Sequence, residues 1–63
     1  MKTVKEARME AGLTQAQLSE WLGIPRPTIA DWDRGARTPS DWVTRLVVEK
    51  IERDGAQWKI KQQ

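Results

Sequence analysis

The side chains best suited to binding chemistry are concentrated between Gln15 and Arg37. This stretch holds three arginines, at positions 26, 34 and 37, and two aspartates, Asp31 and Asp33. Guanidinium groups donate hydrogen bonds to anions and carboxylates accept them, so the stretch is suited to binding a polar, charged partner. An equally ordinary interpretation of each arginine is a solvated charge at the end of a helix.

Composition excludes most catalytic and metal chemistry. The chain contains neither cysteine nor histidine, which removes disulfides, the common zinc and haem sites and the usual general base. No two carboxylates are spaced in a way that suggests an acid and a base. We therefore predict no catalytic residue, no metal site and no cofactor, and we do not expect an enzyme.

Length and charge favour one small domain. Sixty-three residues allow a single folding unit, whose stability is expected to be marginal without a second copy. The net charge of +2 is only a mild indication of nucleic-acid binding. The longest apolar run, around Val47 and Val48, is far too short to span a membrane. No leader pattern precedes the first helical segment, so we expect a cytoplasmic protein.

Two capping patterns predict the first two helices. Thr3 and Glu6 have the spacing of a capping box, in which each side chain bonds the other residue's backbone amide. Thr14 and Gln17 repeat this spacing and predict a second helix over about residues 14–22. Each helix is expected to end at the glycine that follows it, Gly12 or Gly23.

Prolines and glycines also delimit helices three and four. Helix three is expected to begin near Pro27, since proline fits the first helical turn, and to end around Arg34. Thr38 is read as the N-cap of helix four, which is expected to stop at Gly55. Its predicted apolar stripe consists of Val43, Leu46, Val47 and Ile51.

The last eight residues carry a different pattern. Trp58 and Ile60 alternate with Lys59 and Lys61, which favours a short edge strand, although a frayed tail fits equally well. We therefore divide the chain into a domain over residues 1–55 and a C-terminal tail or dimerisation strand over residues 56–63.

Apolar residues of the second and third helices predict the core between them. They are Leu18, Leu22, Ile24, Ile29 and Trp32. Trp32 and Trp42 are interpreted as core anchors, because one indole buries a large apolar area. Trp21 and Trp58 are interpreted either as lids over the core or as contacts with a partner.

Taken together, these residues resemble the helix-turn-helix domain of lambda-repressor and Cro-like proteins, also called the xenobiotic-response-element family. The matching segments are residues 11–15 (AGLTQ), 18–22, 23–24, 28–29 and 32–35 (WDRG), and the resemblance extends through Pro39. The resemblance implies an all-α, compact four-helix fold in which helices two and three form the helix-turn-helix.

The resemblance also implies roles for individual residues. In that family the third helix enters the major groove, and the start of the second meets the sugar-phosphate backbone. The residues expected to contact bases are Arg26, Pro27, Thr28 and Asp31. The residues expected to contact phosphates are Gln15, Arg34 and Arg37.

Three positions depart from the family pattern. Pro25 stands where a polar cap of the recognition helix is usual, and Pro27 fixes the geometry where many relatives have a flexible polar side chain. Asp31 places a carboxylate on the face that meets DNA, where phosphates repel it. Asp31 therefore either accepts a hydrogen bond from a cytosine amine or is neutralised by Arg34 one turn away.

These observations predict a sequence-specific DNA-binding transcriptional regulator, of the phage or bacterial repressor type. We expect it to act as a homodimer on double-stranded DNA with an inverted-repeat operator. The expected dimer interface comprises Val47, Ile51, Trp58 and Ile60. The alternative is an antitoxin or accessory module whose main partner is a protein, such as the toxin of a toxin–antitoxin pair.

Overall fold

A computed structural model describes residues 2–62, and their regular secondary structure is entirely helical. The helices are α1 (Val4–Glu10), α2 (Gln15–Leu22), α3 (Arg26–Asp33), α4 (Asp41–Lys50) and α5 (Ala56–Lys61). A π-helical turn, Ile51–Gly55, joins α4 to α5. The prediction of an all-α fold with a helix-turn-helix is confirmed.

Both predicted capping boxes are present. The Glu6 amide donates to the Thr3 hydroxyl at 3.1 Å, and the Thr3 amide donates to the Glu6 carboxylate at 2.9 Å. Thr14 and Gln17 form the same reciprocal pair at 3.0 and 2.9 Å. The hydrogen bond from the Thr3 amide holds the pKa of Glu6 below its usual value, because it stabilises the ionised carboxylate. These boxes fix where α1 and α2 begin.

A left-handed glycine makes the sharp turn between α2 and α3. Gly23 caps α2 with φ +73°, and its amide donates to the Ser19 carbonyl at 2.9 Å. Only glycine adopts this conformation without strain, so the chain can leave α2 and enter α3 within a few residues. The stop predicted at Gly12 is confirmed by a φ of +75°, and Gly35, which follows the predicted end of helix three at Arg34, has a φ of +77°.

The boundaries of α4 differ from those predicted. The helix begins at Asp41 with Ser40 as its N-cap, so Thr38 is not the cap. Gly55 does not end the helix either, because its φ of −62° is right-handed. A Cβ at Gly55 would lie 3.3 Å from both the Leu13 and Ile51 side chains. Glycine therefore lets the Leu13 and Ile51 side chains pack closely here, and the chain continues as a helix.

The predicted C-terminal strand is wrong, because residues 56–61 form α5. The indole of Trp58 stacks on that of Trp21, with ring centroids 5.9 Å apart and planes inclined by 27°. Ile60 is 68% exposed, since residues two apart lie on different sides of a helix. Lys59 also donates to the Gly12 carbonyl. Trp21 and Trp58 thus form the predicted lid, and their packing overrides the short alternating pattern.

The core lies between α1, α2, α3 and the end of α4. Its buried members are Val4, Ala7, Leu13, Leu18, Ile29, Val48 and Ile51. Trp32, Leu22 and Ile24 pack against them as predicted.

The predicted inner face of α4 is partly wrong. Trp42 is 67% exposed and Leu46 is 57% exposed, so neither is a core residue. Val48, absent from the predicted stripe, is buried instead, and Val47 packs against the core. Apolar residues cover more than one side of α4, and the periodicity alone did not show which side faces inward.

Candidate nucleic-acid interface

Two apolar residues fix the orientation of α3. Ile29 is fully buried, and Trp32, three residues later, is half-buried against the core. Since these positions share one side of the helix, the other side faces outward. Arg26 and Pro27 are exposed there, and Thr28 is half-buried. The structure therefore brings three of the four predicted base-contacting residues together in the first turn of α3.

The amino end of α3 is built around two prolines. Pro25 is the N-cap and makes no side-chain capping bond, while its carbonyl accepts from the amides of Thr28 and Ile29 at 3.0 and 3.2 Å. Pro27 occupies an early position at which a helix needs no amide donor. The helix begins at Arg26, one residue earlier than predicted. Arg26 forms no ion pair with any residue from 2 to 62, so its guanidinium has its donors available.

Asp31 is held between two arginines at the other end of this face. Arg34 Nη2 lies 2.6 Å from Asp31 Oδ1, and Arg37 Nε lies 3.5 Å from Asp31 Oδ2. Of the two interpretations of Asp31, the structure thus contains the pair with Arg34. Two guanidinium groups around one carboxylate leave the cluster with a net positive charge, which reduces repulsion between Asp31 and a phosphate.

The turn after α3 brings Arg37 back to this carboxylate. The amides of Ala36 and Arg37 donate to the Asp31 carbonyl at 2.9 and 3.3 Å, and the Gly35 amide donates to the Trp32 carbonyl. This is a Schellman-type helix end, in which a left-handed glycine returns the chain over the last turn. Arg34 and Arg37, both predicted to bind phosphate, are consequently exposed side by side.

A largely buried network, which sequence reasoning missed, connects α2 to the end of α3. Asp33 Oδ2 accepts from Gln15 Nε2 at 2.7 Å and from Arg8 Nη2 at 2.8 Å. Arg8 Nη1 also donates to the Leu13 carbonyl at 2.8 Å. The side chains of Arg8 and Asp33 are only 13% and 9% exposed. The sequence signal was Arg8 on the apolar side of α1, since a guanidinium buried there requires an acidic partner.

This network fixes the orientation of Gln15, the residue predicted to meet a phosphate at the start of α2. The amide nitrogen of glutamine carries two hydrogens, and the contact with Asp33 uses one of them. The second hydrogen can still be donated to another acceptor. Asp33 therefore holds the Gln15 side chain in a defined position.

The four predicted dimer-interface residues differ in their exposure. Ile51 is buried, Val47 packs against the core and Trp58 is stacked on Trp21. Only Ile60 is widely exposed. Membership of the core leaves Ile51 unable to contact a partner in this conformation.

The described residues hold neither a cluster of metal ligands nor a membrane-spanning helix. Between residues 2 and 62 no three acidic, histidine or cysteine side chains are grouped to hold a metal ion. None of the helices described has the length and apolar character required to cross a membrane.

Comparison with known proteins assigns this arrangement to a family. The helix-turn-helix family profile matches residues 4–41, which includes α1, α2, the turn and α3. The chain belongs to the lambda-repressor-like helix-turn-helix family. The predicted resemblance is thereby confirmed, and α3 occupies the position of the family's recognition helix.

A relative of this helix-turn-helix protein occurs in Methanothermobacter thermautotrophicus. The two chains are 33% identical over 51 residues, which cover 81% of this chain and 74% of the relative. The relative is described as an uncharacterized HTH-type transcriptional regulator of Methanothermobacter thermautotrophicus. No solved structure matches the chain.

Proposed function

We propose that this helix-turn-helix protein is a sequence-specific transcriptional repressor that inserts α3 into the major groove of DNA. The observation that carries the proposal is the amino end of α3, where Arg26 is exposed and has no ionic partner among the described residues. Ile29 and Trp32 anchor the opposite side of the helix, so the reading side is presented on a rigid support. Membership of the family supports the same conclusion.

The proposed base contacts lie in the first two turns of α3. Arg26 is the principal reader, because a guanidinium can donate two hydrogen bonds to the O6 and N7 atoms of one guanine. Thr28 offers a hydroxyl and a methyl group, and Pro27 offers an apolar edge to a thymine methyl. Asp31 accepts from a cytosine amine when an arginine neighbour releases one of its oxygens.

The proposed phosphate contacts flank this face. Gln15 donates its second amide hydrogen at the start of α2, where the helix dipole also favours an anion. Arg34 and Arg37 exchange Asp31 for phosphate oxygens. Exposed ion pairs contribute only about 0–1 kcal/mol to stability, so breaking the pairs with Asp31 costs little free energy.

We further propose that two copies bind an inverted repeat in the cytoplasm, at the nucleoid. One module of this size contacts only a few base pairs, whereas two copies double the recognised sequence. If the copies lie on the same side of the duplex, their half-sites are spaced by about 10 base pairs, one helical turn.

A second candidate function is an antitoxin or accessory subunit that binds another protein. The observation that favours it is the exposed apolar pair Trp42 and Leu46, which a DNA contact does not use. A heterologous complex that persists in high salt would favour this candidate, because phosphate contacts weaken with salt and apolar contacts do not.

Three alanine variants test the division between base and phosphate contacts. Duplexes are first selected from a random pool with the wild-type chain, and binding is then measured against selected and mismatched sequences. Arg26→Ala is expected to reduce discrimination at one base pair by about 1–3 kcal/mol. Gln15→Ala is expected to weaken all sequences alike, and Arg37→Ala should reduce the salt slope by about 0.9.

The proposal fails if the pool yields no enriched sequence. It also fails if Arg26→Ala and Gln15→Ala weaken every duplex by the same factor, because α3 would then read no base. The variant Lys61→Ala, on α5, serves as a control for loss of one exposed positive charge away from α3.

A further inference from the structure

The outer side of α4 is an exposed apolar surface. Trp42 and Leu46 are four residues apart, so they lie on one side of the helix, one turn from each other. They are 67% and 57% exposed, whereas Val48 of the same helix and Ile51, directly after it, are buried on the inner side. An exposed tryptophan one turn from an exposed leucine forms an apolar patch of the kind found at contact sites.

The charges that flank this surface indicate what covers it. Arg45 and Glu49 are exposed on the same helix and lie four residues apart. Neither of them forms an ion pair within the described part of the chain. A surface with an apolar centre and both signs of charge at its margin is complementary to itself. An acidic partner or an anionic lipid surface would instead favour basic residues alone.

We propose that the outer side of α4 is the contact surface for a second copy of this chain. Across a two-fold axis, Trp42 of each protomer packs on Leu46 of the other, and the charged margins contact each other. The role of this contact on an operator rests on the proposed function, but the contact itself does not require DNA. The surface replaces the interface predicted from Val47, Ile51, Trp58 and Ile60.

The size of the surface implies weak association in free solution. A buried tryptophan covers about 150–250 Å², so two indoles supply roughly 300–500 Å² of contact. Leu46 and the stems of Arg45 and Glu49 enlarge this area, but a stable interface buries about 1,200–2,000 Å² in total. We therefore expect a dissociation constant on the order of 10–100 μM, with the dimer completed when two half-sites hold both copies.

Sedimentation equilibrium of the full chain, over about three decades of concentration around the expected dissociation constant, measures this contact directly. Trp42→Ala and Leu46→Ala are each expected to raise the dissociation constant at least about tenfold. Ile60→Ala is the matched control, because Ile60 is as exposed as Trp42 but lies on α5, and it should leave the constant unchanged. Circular dichroism verifies that each variant is folded.

A charge exchange gives a second measurement. Arg45→Glu alone leaves only negative charge beside Trp42 and Leu46 and is expected to weaken the dimer, because like charges then meet across it. Adding Glu49→Arg restores charges of both signs and is expected to restore dimer formation. A recovery of this kind cannot arise from a general loss of stability.

Two results would overturn the inference. The first is a wild-type chain that stays monomeric throughout the concentration range. The second is a dimer weakened by Ile60→Ala and unaffected by Trp42→Ala. Binding to a single half-site duplex separates this question from the proposed function, because Trp42→Ala should bind a half-site as the wild type does. If the wild type binds no duplex, the proposed function fails while the sedimentation result still decides the dimer contact.

Discussion

Asp33→Ala is expected to remove a large part of the stability of the fold. Asp33 Oδ2 accepts hydrogen bonds from both Arg8 and Gln15. Removing the carboxylate leaves the Arg8 guanidinium largely buried, and among residues 2–62 the Leu13 carbonyl is then its remaining acceptor. It also releases the Gln15 amide from its fixed position. The variant should therefore lose stability and, through Gln15, part of its affinity for all DNA sequences.

The expected loss of stability in Asp33→Ala follows from how deeply the Arg8–Asp33 ion pair is buried. The Arg8 and Asp33 side chains are 13% and 9% exposed, so solvent screens their interaction only slightly. Breaking a buried ion pair by removing one partner costs about 3–5 kcal/mol. At about 0.05–0.15 kcal/mol per residue, the whole chain is stable by roughly 3–9 kcal/mol. Asp33→Ala should thus lower the melting temperature by more than about 10 °C.

Thermal and urea denaturation followed by circular dichroism measure the effect. Asp31→Ala is the matched control, because it removes the same side chain from the same helix but breaks only pairs with exposed arginines. It should cost about 0–1 kcal/mol. The double variant Arg8→Met with Asp33→Leu should be more stable than Asp33→Ala, since no unpaired charge stays buried. Equal losses for Asp33→Ala and Asp31→Ala would refute this reasoning.

Two further predictions concern a turn and a cap. Gly23→Val should lower stability by about 1–2 kcal/mol through backbone strain, because φ at this position is +73°. No steric clash adds to the strain, since no atom lies within 4 Å of an added Cβ. An unchanged melting temperature would contradict this prediction. Because the pKa of Glu6 is lowered in the folded chain, its contribution to stability is present above the usual glutamate pKa and is lost as the pH falls through the lowered value. Denaturation at a series of acidic pH values should show a smaller loss for Glu6→Gln than for wild type, and identical curves would count against the capping contribution.

Local signals were sufficient to predict most of the fold. The helix ends at Thr3, Thr14 and Gly23 are specified by hydrogen bonds between residues close together in the chain. Such ends can therefore be predicted from the local sequence alone. Pro27, which fits the first turn of a helix, located the start of α3 to within one residue. Contacts between distant segments were not accessible in this way. Whether Gly55 stops a helix depends on the space left by Leu13, which no local pattern specifies.

The candidate site was predictable in its residues and less so in their contacts. Arg26 and Thr28 follow from the family pattern and from the buried positions of α3. The bond between Gln15 and Asp33 joins residues 18 apart and depends on how α2 crosses α3. The exposure of Trp42 was mispredicted, because a tryptophan is usually a core residue and the sequence does not show which side of α4 faces inward.

The central claim is that the outward face of α3 binds DNA, and amide chemical-shift mapping of the full chain with a selected duplex tests it most directly. The account predicts that the largest shifts lie at Arg26–Asp33 of α3, at Gln15 and at residues 34–37. Shifts that avoid α3 and concentrate on α4 or α5, or the absence of any shift at physiological salt, would contradict it.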